Sequence, residues 1–480
     1  MAIDNKSILG IKWTGFSTFI VSITQILQLS ILSRFLIPSD FGLMAIVLVV
    51  VGFSQTFVDM GISNAIIYKQ NISKNQLSTL YWINIFSGFL IFLFIFFISP
   101  LIAKFYNEPI LLHLNRLVAI SFIIQPFGQQ FMVLLQKELR FKEISIIEVI
   151  SKTTSLLISV IFAYFGYGIY SFIFGTLGAI FLQTCLYFLI GLKDFGISFT
   201  FSFKEINEFL NFGLYQMGEK TINYFNFQID VILIGRLLGS EQLGIYNIAK
   251  QIIIRPSSLI NQIVTKVSFP SLALIQNKTE KLKGIYLKII NYLSMINFPL
   301  FALIYVFAND LILILFGEAY VEAIRIVKIL SIYGAVRSVG NPVGSLLLAL
   351  GRAKLAFIWN LILIFIIPVV IFIGSIWGLE GVAWGLVIVV LLLTFPNWYF
   401  LVKSSCQASF LEYHKQLILP IMIFIITVGV GYTLNFFLKS FLLRLTSLII
   451  FTSSFIYFLS LIFNKNFIKF MINFKKTKFS

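Results

Sequence analysis

From Leu90 to Ile98 the chain reads LIFLFIFFI without one polar side chain, and stretches almost as apolar recur from one end to the other. A hydrocarbon layer of about 30 Å is crossed by roughly 20 such residues wound as a helix, and about fourteen stretches of that length can be counted. They fall at residues 8–33, 43–67, 80–105, 113–135, 149–165, 169–191, 212–235 and 244–274, then 285–307, 323–350, 355–377, 382–402, 417–437 and 442–463. Strands of a membrane barrel would alternate apolar and polar over about 10 residues, which these runs do not. With 59% of 480 residues hydrophobic and 11% charged, no water-soluble core could hide the apolar surface. The expected fold is an all-α polytopic membrane protein of about fourteen transmembrane helices.

The connections are too short for a soluble domain of ordinary size. The first apolar stretch has no small-residue cleavage site after it and is expected to be retained as a helix. Cys185 and Cys406 form no ligand or redox spacing, and His113 and His414 lie far apart, so neither a metal nor a bound cofactor is expected.

Lys and Arg number 36 against 19 Asp and Glu, a net charge of +17. If the N-terminus is cytoplasmic, the inside segments hold residues such as Lys74, Lys137, Arg140, Lys193, Lys281 and Arg352 and the basic tail from Lys465 onward. The opposite turns hold few, Arg34, Lys104 and Arg236 among them, so the bias is about threefold and places both termini inside. The charge excess is a topology signal with some attraction to anionic membrane lipids; it calls for no nucleic acid.

Arg34 to Ile46, RFLIPSDFGLMAI, returns as Arg236 to Ile248, RLLGSEQLGIYNI, with Arg, Leu, Gly and the final Ile superposed. A weaker echo links GYGIYS at Gly166 with GLEGVAW at Gly378 at a similar spacing of residues. Duplication of six helices is the simplest explanation. An even number of helices per copy relates the copies by a pseudo-two-fold axis along the membrane normal. The expected division is a six-helix lobe over 1–203, a second over 204–405, and two additional, peripheral helices with a basic tail over 406–480.

The segment RFLIPSDFG followed by a helix ending in FVDMGISNAII (Phe57 to Ile67) resembles the bacterial polysaccharide flippases of the multidrug, oligosaccharidyl-lipid and polysaccharide exporter superfamily, particularly the branch exporting colanic or teichuronic acid-type glycans. The resemblance implies two bundles around a central cavity. It also implies passage of polyprenyl-diphosphate-linked oligosaccharide from the cytoplasmic to the outer leaflet of the bacterial inner membrane, with polymerase or ligase machinery as a possible partner.

Ionisable side chains at bilayer depth are costly, so they mark cavities or ion pairs. Arg255 and Arg337 lie near the middle of their helices and are the leading candidates for holding an anionic headgroup, joined by Lys250, Lys266, Arg116 and Lys220. Snorkelling or a local ion pair explains Arg116, Lys220 and Lys266 equally well. Pro256 and Pro270 are expected to bend the helix that carries Arg255. The acids Asp59, Asp230 and Glu219 are candidates for coupling to a proton or sodium gradient, with Asp230 placed at the depth of Lys250 and positioned to pair with it.

Two other readings are weaker. A multidrug or cation-coupled exporter would favour acids and aromatics in its cavity, yet more bases than acids fall inside the helices. A membrane glycosyltransferase, ligase or polymerase would need clustered acids and bases or a sizeable outer loop, so no enzyme is expected.

Overall fold

The computed structural model describes residues 2–58, 63, 66–67, 72–201 and 207–463, and among them every regular element is helical. The first helices are α1 (Ala2–Leu32), α2 (Pro38–Val58), α3 (Lys74–Tyr106), α4 (Ile110–Ile124), α5 (Pro126–Lys137), α6 (Phe141–Tyr164), α7 (Tyr170–Asp194) and α8 (Asn207–Ala273). They are followed by α9 (Thr279–Val306), α10 (Ala308–Leu315), α11 (Ala323–Gly340), α12 (Pro342–Ala349), α13 (Ala353–Ser375) and α14 (Gly378–Pro396), and then by α15 (Phe410–Phe437) and α16 (Phe441–Phe463). Among the described residues ten helical stretches are long and apolar enough to cross a bilayer, or eleven if α4 and α5, bent by 51°, form one span. The other three expected spans fall on α8, which accounts for two, and on the broken pair α11 and α12.

Local chemistry sets the ends. Ser73 caps α3 and Gln76 returns a bond to the cap backbone, while Asn107 closes the helix in the left-handed conformation. Pro126 removes a helical donor where α4 gives way to α5. In α8 the residue with non-helical backbone is Gly239, at φ 85°, a region open to glycine at little cost. The helix is thereby broken into arms over 207–238 and 240–273, whereas Pro256 and Pro270 lie within helical backbone. The break falls in the expected turn rather than beside Arg255.

The chain divides into two compact units, Met1–Asn247 and Ile248–Ser480. In the first, α6 packs along both α1 and α7, α3 packs on α4, and α7 also receives α4 and α5. Two polar rungs tie α1 to α6. Ser17 Oγ donates to Glu148 Oε2 at 3.3 Å, and Gln28 Nε2 donates to Ser159 Oγ at 2.8 Å. Both rungs ascend the two helices together, so α1 and α6 run parallel. Gly175 lets α7 press onto Ser155 and Ser159 from the other side; a Cβ there would collide with the Ser159 hydroxyl. Small residues and interhelical hydrogen bonds are the usual means of packing helices in lipid, where no hydrophobic drive separates helix from solvent.

In the second unit α9 is the central element, with Tyr286, Ile290 and Phe301 fully buried, and it packs on α11 and α15. The α15–α16 pair remains largely exposed outside it, yet Gly431 seats on Val306 and the Arg444 guanidinium reaches Asp310 at 2.6 Å and Asn435 at 3.0 Å. The C-terminal helices are thus anchored to the body of that unit.

Candidate transport site

The two arginines singled out by position lie on two helices of the second unit that cross, Arg255 on the second arm of α8 and Arg337 in the last turn of α11 rather than mid-helix. A Cβ on Gly334 of α11 would meet Ile253 Cγ2 of α8 at 2.7 Å and the Phe301 ring at 2.7 Å, so these helices touch backbone to side chain. Arg255 follows Ile253 by two residues and Arg337 follows Gly334 by three, so both lie within about one turn of the contact in height, but at 100° per residue Arg255 is turned to the far side of its helix from Ile253.

Their surroundings differ. Arg255 is half-buried, and its Nε donates to Gln251 Oε1 at 3.0 Å, one turn back on the same helix. Arg337 is exposed; Nη1 donates to the Tyr333 hydroxyl at 2.8 Å and the guanidinium lies 5.5 Å from that ring. A guanidinium carries five donors in a planar fork whose geometry matches a phosphate or carboxylate. Lys250, on the same arm as Arg255, is buried at 7% exposure.

In the first unit Arg116 lies over the Phe96 ring at 4.2 Å with its Nε buried and unpaired among the described residues, and the neighbouring Asn115 has both amide atoms in the same condition. Asp230 accepts from the Tyr246 hydroxyl at 2.6 Å and from the Val231 backbone at 2.8 Å. Asp59 and the side chains of Glu219, Lys220 and Lys266 lie outside the described residues.

The duplicated motif supplies a second piece of geometry, all within the first unit. A Cβ on Gly42 would collide with the Ser240 carbonyl, and one on Gly244 with the Pro38 carbonyl. Gly42 corresponds to Gly244 in the repeat and Pro38 to Ser240, so the contact is isologous: residue i meets j, and j meets i, as across any two-fold axis. Around it, Ser240 Oγ donates to Glu108 Oε1 at 2.5 Å and Arg236 lies over Phe105 at 5.5 Å.

Sequence reasoning missed Glu148 and Lys152. By sequence the apolar run begins at residue 149, which leaves both near the membrane edge. The helix begins at Phe141, held by Arg140, which bonds Glu143 at 2.6 Å and Asp194 at 2.5 Å. Glu148 and Lys152 are therefore seven and eleven residues inside α6. The Arg140 cluster, visible only across a separation of 54 residues, was the missing signal.

A many-helix membrane bundle with an internal two-fold motif is the architecture of a transporter. The chain belongs to the polysaccharide biosynthesis protein family, whose model matches residues 31–325. It is 33% identical over 440 residues to the lipopolysaccharide biosynthesis protein WzxC of Escherichia coli (strain K12), covering 92% of this chain and 89% of that protein. It is also 33% identical over 446 residues to the teichuronic acid biosynthesis protein TuaB of Bacillus subtilis (strain 168), covering 91% of each. The fold is similar to that of the lipid II flippase MurJ in an inward closed conformation, with TM-score 0.76 and 13% identity over 96% of this chain and 100% of that one. It is also similar to an inward-facing multidrug resistance MATE family transporter, with TM-score 0.60 and 15% identity over 87% and 99% of the chains.

Proposed function

We propose that this protein is a flippase that moves a polyprenyl-diphosphate-linked oligosaccharide from the cytoplasmic to the outer leaflet of a bacterial inner membrane, with both termini in the cytoplasm. The observation that carries the reading is the 33% identity over nine-tenths of the chain to the lipopolysaccharide biosynthesis protein WzxC, in a chain of the polysaccharide biosynthesis family whose second unit carries the guanidinium groups of Arg255 and Arg337. A diphosphate cannot enter hydrocarbon unaided, while a polyprenyl tail can stay in it. Each cation within about 4 Å of a phosphate charge attracts it by roughly 4 kcal/mol at an effective dielectric near 20, so two or three offset much of the dehydration.

Transport then needs alternating access. The reciprocal Gly42 and Gly244 contact draws the two motif copies together at their turns, the side placed outside by the charge bias, and it closes that side while the headgroup loads from within. The driving force is a proton or sodium gradient, with Asp230 as the described candidate for coupling. Polymerase or ligase machinery acts on the delivered product in the outer leaflet.

The test is transport of a fluorescent polyprenyl-diphosphate glycan in proteoliposomes containing the purified full-length chain. Movement between leaflets that depends on the protein and is lost with charge-reversed Arg255 or Arg337 supports the reading. Protein-independent movement, or equal transport by the reversed variants, overturns it.

A further inference from the structure

Helices α13 and α14 of the second unit meet along glycines. A Cβ on Gly381 would collide with the Gly374 carbonyl, and one on Gly385 would come within 3.0 Å of the Val370 side chain, so the two backbones lie nearly against each other. Gly381 and Gly385 stand four apart on one face of α14, and Trp384, Ile388 and Leu392 run beside them at four-residue steps. These three, with Ile373 of α13 and Trp377 of the turn, are all exposed. They rise beside the glycine seam and wall a groove of about 580 Å³, within the range of about 300–1,000 Å³ usual for ligand sites.

The groove follows α14 from Glu380 to Leu392, a rise of about 18 Å at 1.5 Å per residue. One leaflet of hydrocarbon is about 15 Å deep, half of a layer of roughly 30 Å. The lining is apolar apart from Glu380 at the turn, so the length of the groove suits an acyl chain and its mouth a headgroup. At that mouth Arg325, in the first turn of α11, donates through Nη1 to Glu380 Oε1 at 3.0 Å, with the two side chains 77% and 49% exposed. An exposed pair of this kind gains little from its own attraction, so other charged groups can compete for both members. It offers one cation and one anion side by side, and Trp377 next to them is the kind of aromatic that sits among headgroups.

We propose that the groove between α13 and α14 binds a phospholipid with a zwitterionic amine headgroup. An acyl chain lies along the glycine seam, the phosphate takes the fork of Arg325, and the ammonium donates to the Glu380 carboxylate. A glycerol headgroup would bring only negative charge to Glu380, and a choline headgroup has no N–H to donate. The charge bias that puts the turn before α14 outside gives the site to a lipid of the outer leaflet.

The experiment is native mass spectrometry of the full-length chain, delipidated in detergent and titrated with palmitoyl-oleoyl phosphatidylethanolamine, phosphatidylcholine or phosphatidylglycerol. Wild type is expected to bind the ethanolamine lipid about fivefold more tightly than either of the others, the scale of an exposed charge pair. Glu380→Gln removes that advantage, and Arg325→Gln weakens all three lipids. Ile388→Trp, which fills the groove from an exposed position and leaves both charges in place, abolishes binding of all three. Equal binding of the three lipids to wild type overturns the proposal, as does an undiminished ethanolamine preference in Glu380→Gln or undiminished binding by Ile388→Trp. Dimers that exclude lipid would show that a second copy of the chain covers the groove. Displacement of the bound phospholipid by equimolar farnesol, an isoprenoid chain without a charged headgroup, would give the groove to a polyprenyl tail. Either result also overturns the proposal.

Discussion

Gly42 and Gly244, equivalent glycines of the two motif copies, each lie against the carbonyl that stands four residues before the other, Ser240 for Gly42 and Pro38 for Gly244. No side chain fits at either place, because the obstacle is backbone and cannot rotate away.

Alanine at either glycine is therefore expected to push the two turns apart and cost about 1–3 kcal/mol. In a background with Cys185 and Cys406 replaced, a Ser240→Cys reporter should label faster with an impermeant thiol reagent when Gly42→Ala is present, and transport should fall. Unchanged labelling and transport would show that the contact does not close the outer side.

Charge reversal at Arg255 or Arg337 should lower transport by about tenfold or more, the scale of one lost charge-assisted hydrogen bond. Tyr333→Phe, which removes only the hydroxyl that Arg337 holds, should change transport little. A proteoliposome assay at equal protein content separates the two cases, and a Tyr333→Phe defect as large as that of Arg337→Glu would point to positioning rather than headgroup contact.

Arg444 and Asp310 are both mostly buried, at 16% and 14% side-chain exposure, and bond at 2.6 Å. Removing one partner strands the other charge, so Arg444→Leu should destabilise the fold by about 3 kcal/mol, and adding Asp310→Leu should recover most of that. Thermal melting in detergent measures both. A double variant no better than the single would mean that the helix pair α15–α16 is held by its apolar contacts instead.

Asp230 is held by the Tyr246 hydroxyl and a backbone amide. Asp230→Asn should blunt the response of transport to imposed proton and sodium gradients while leaving gradient-free exchange in place. A full response in the Asp230→Asn protein would remove this acid from the coupling step.

Much of the fold was legible because its causes are local. Apolar runs such as Leu90–Ile98 dictate spanning helices, since each helix satisfies its own backbone within the segment. The copied motif at Arg34 and Arg236 could be read by eye, and Arg255 and Arg337 stood out because the apolar residues around them left no interface to reach. The start of α6 was misplaced for the opposite reason. Its first turn carries Lys142 and Glu143, and Arg140, which precedes it, meets Asp194, a partner far along the chain. With the boundary placed eight residues late, Glu148 and Lys152 looked like ordinary edge charges.

By itself, then, the sequence determined that this is a helical protein with many membrane spans, because hydropathy and helical hydrogen bonding act over a few residues. Tertiary structure alone decided which copy of the motif presses on which, and that Gln28 meets Ser159 across 131 residues. It also set Arg337 against Tyr333. Those outcomes depend on how helices cross, and crossing is fixed by small residues and hydrogen-bond partners whose encounter no local pattern encodes.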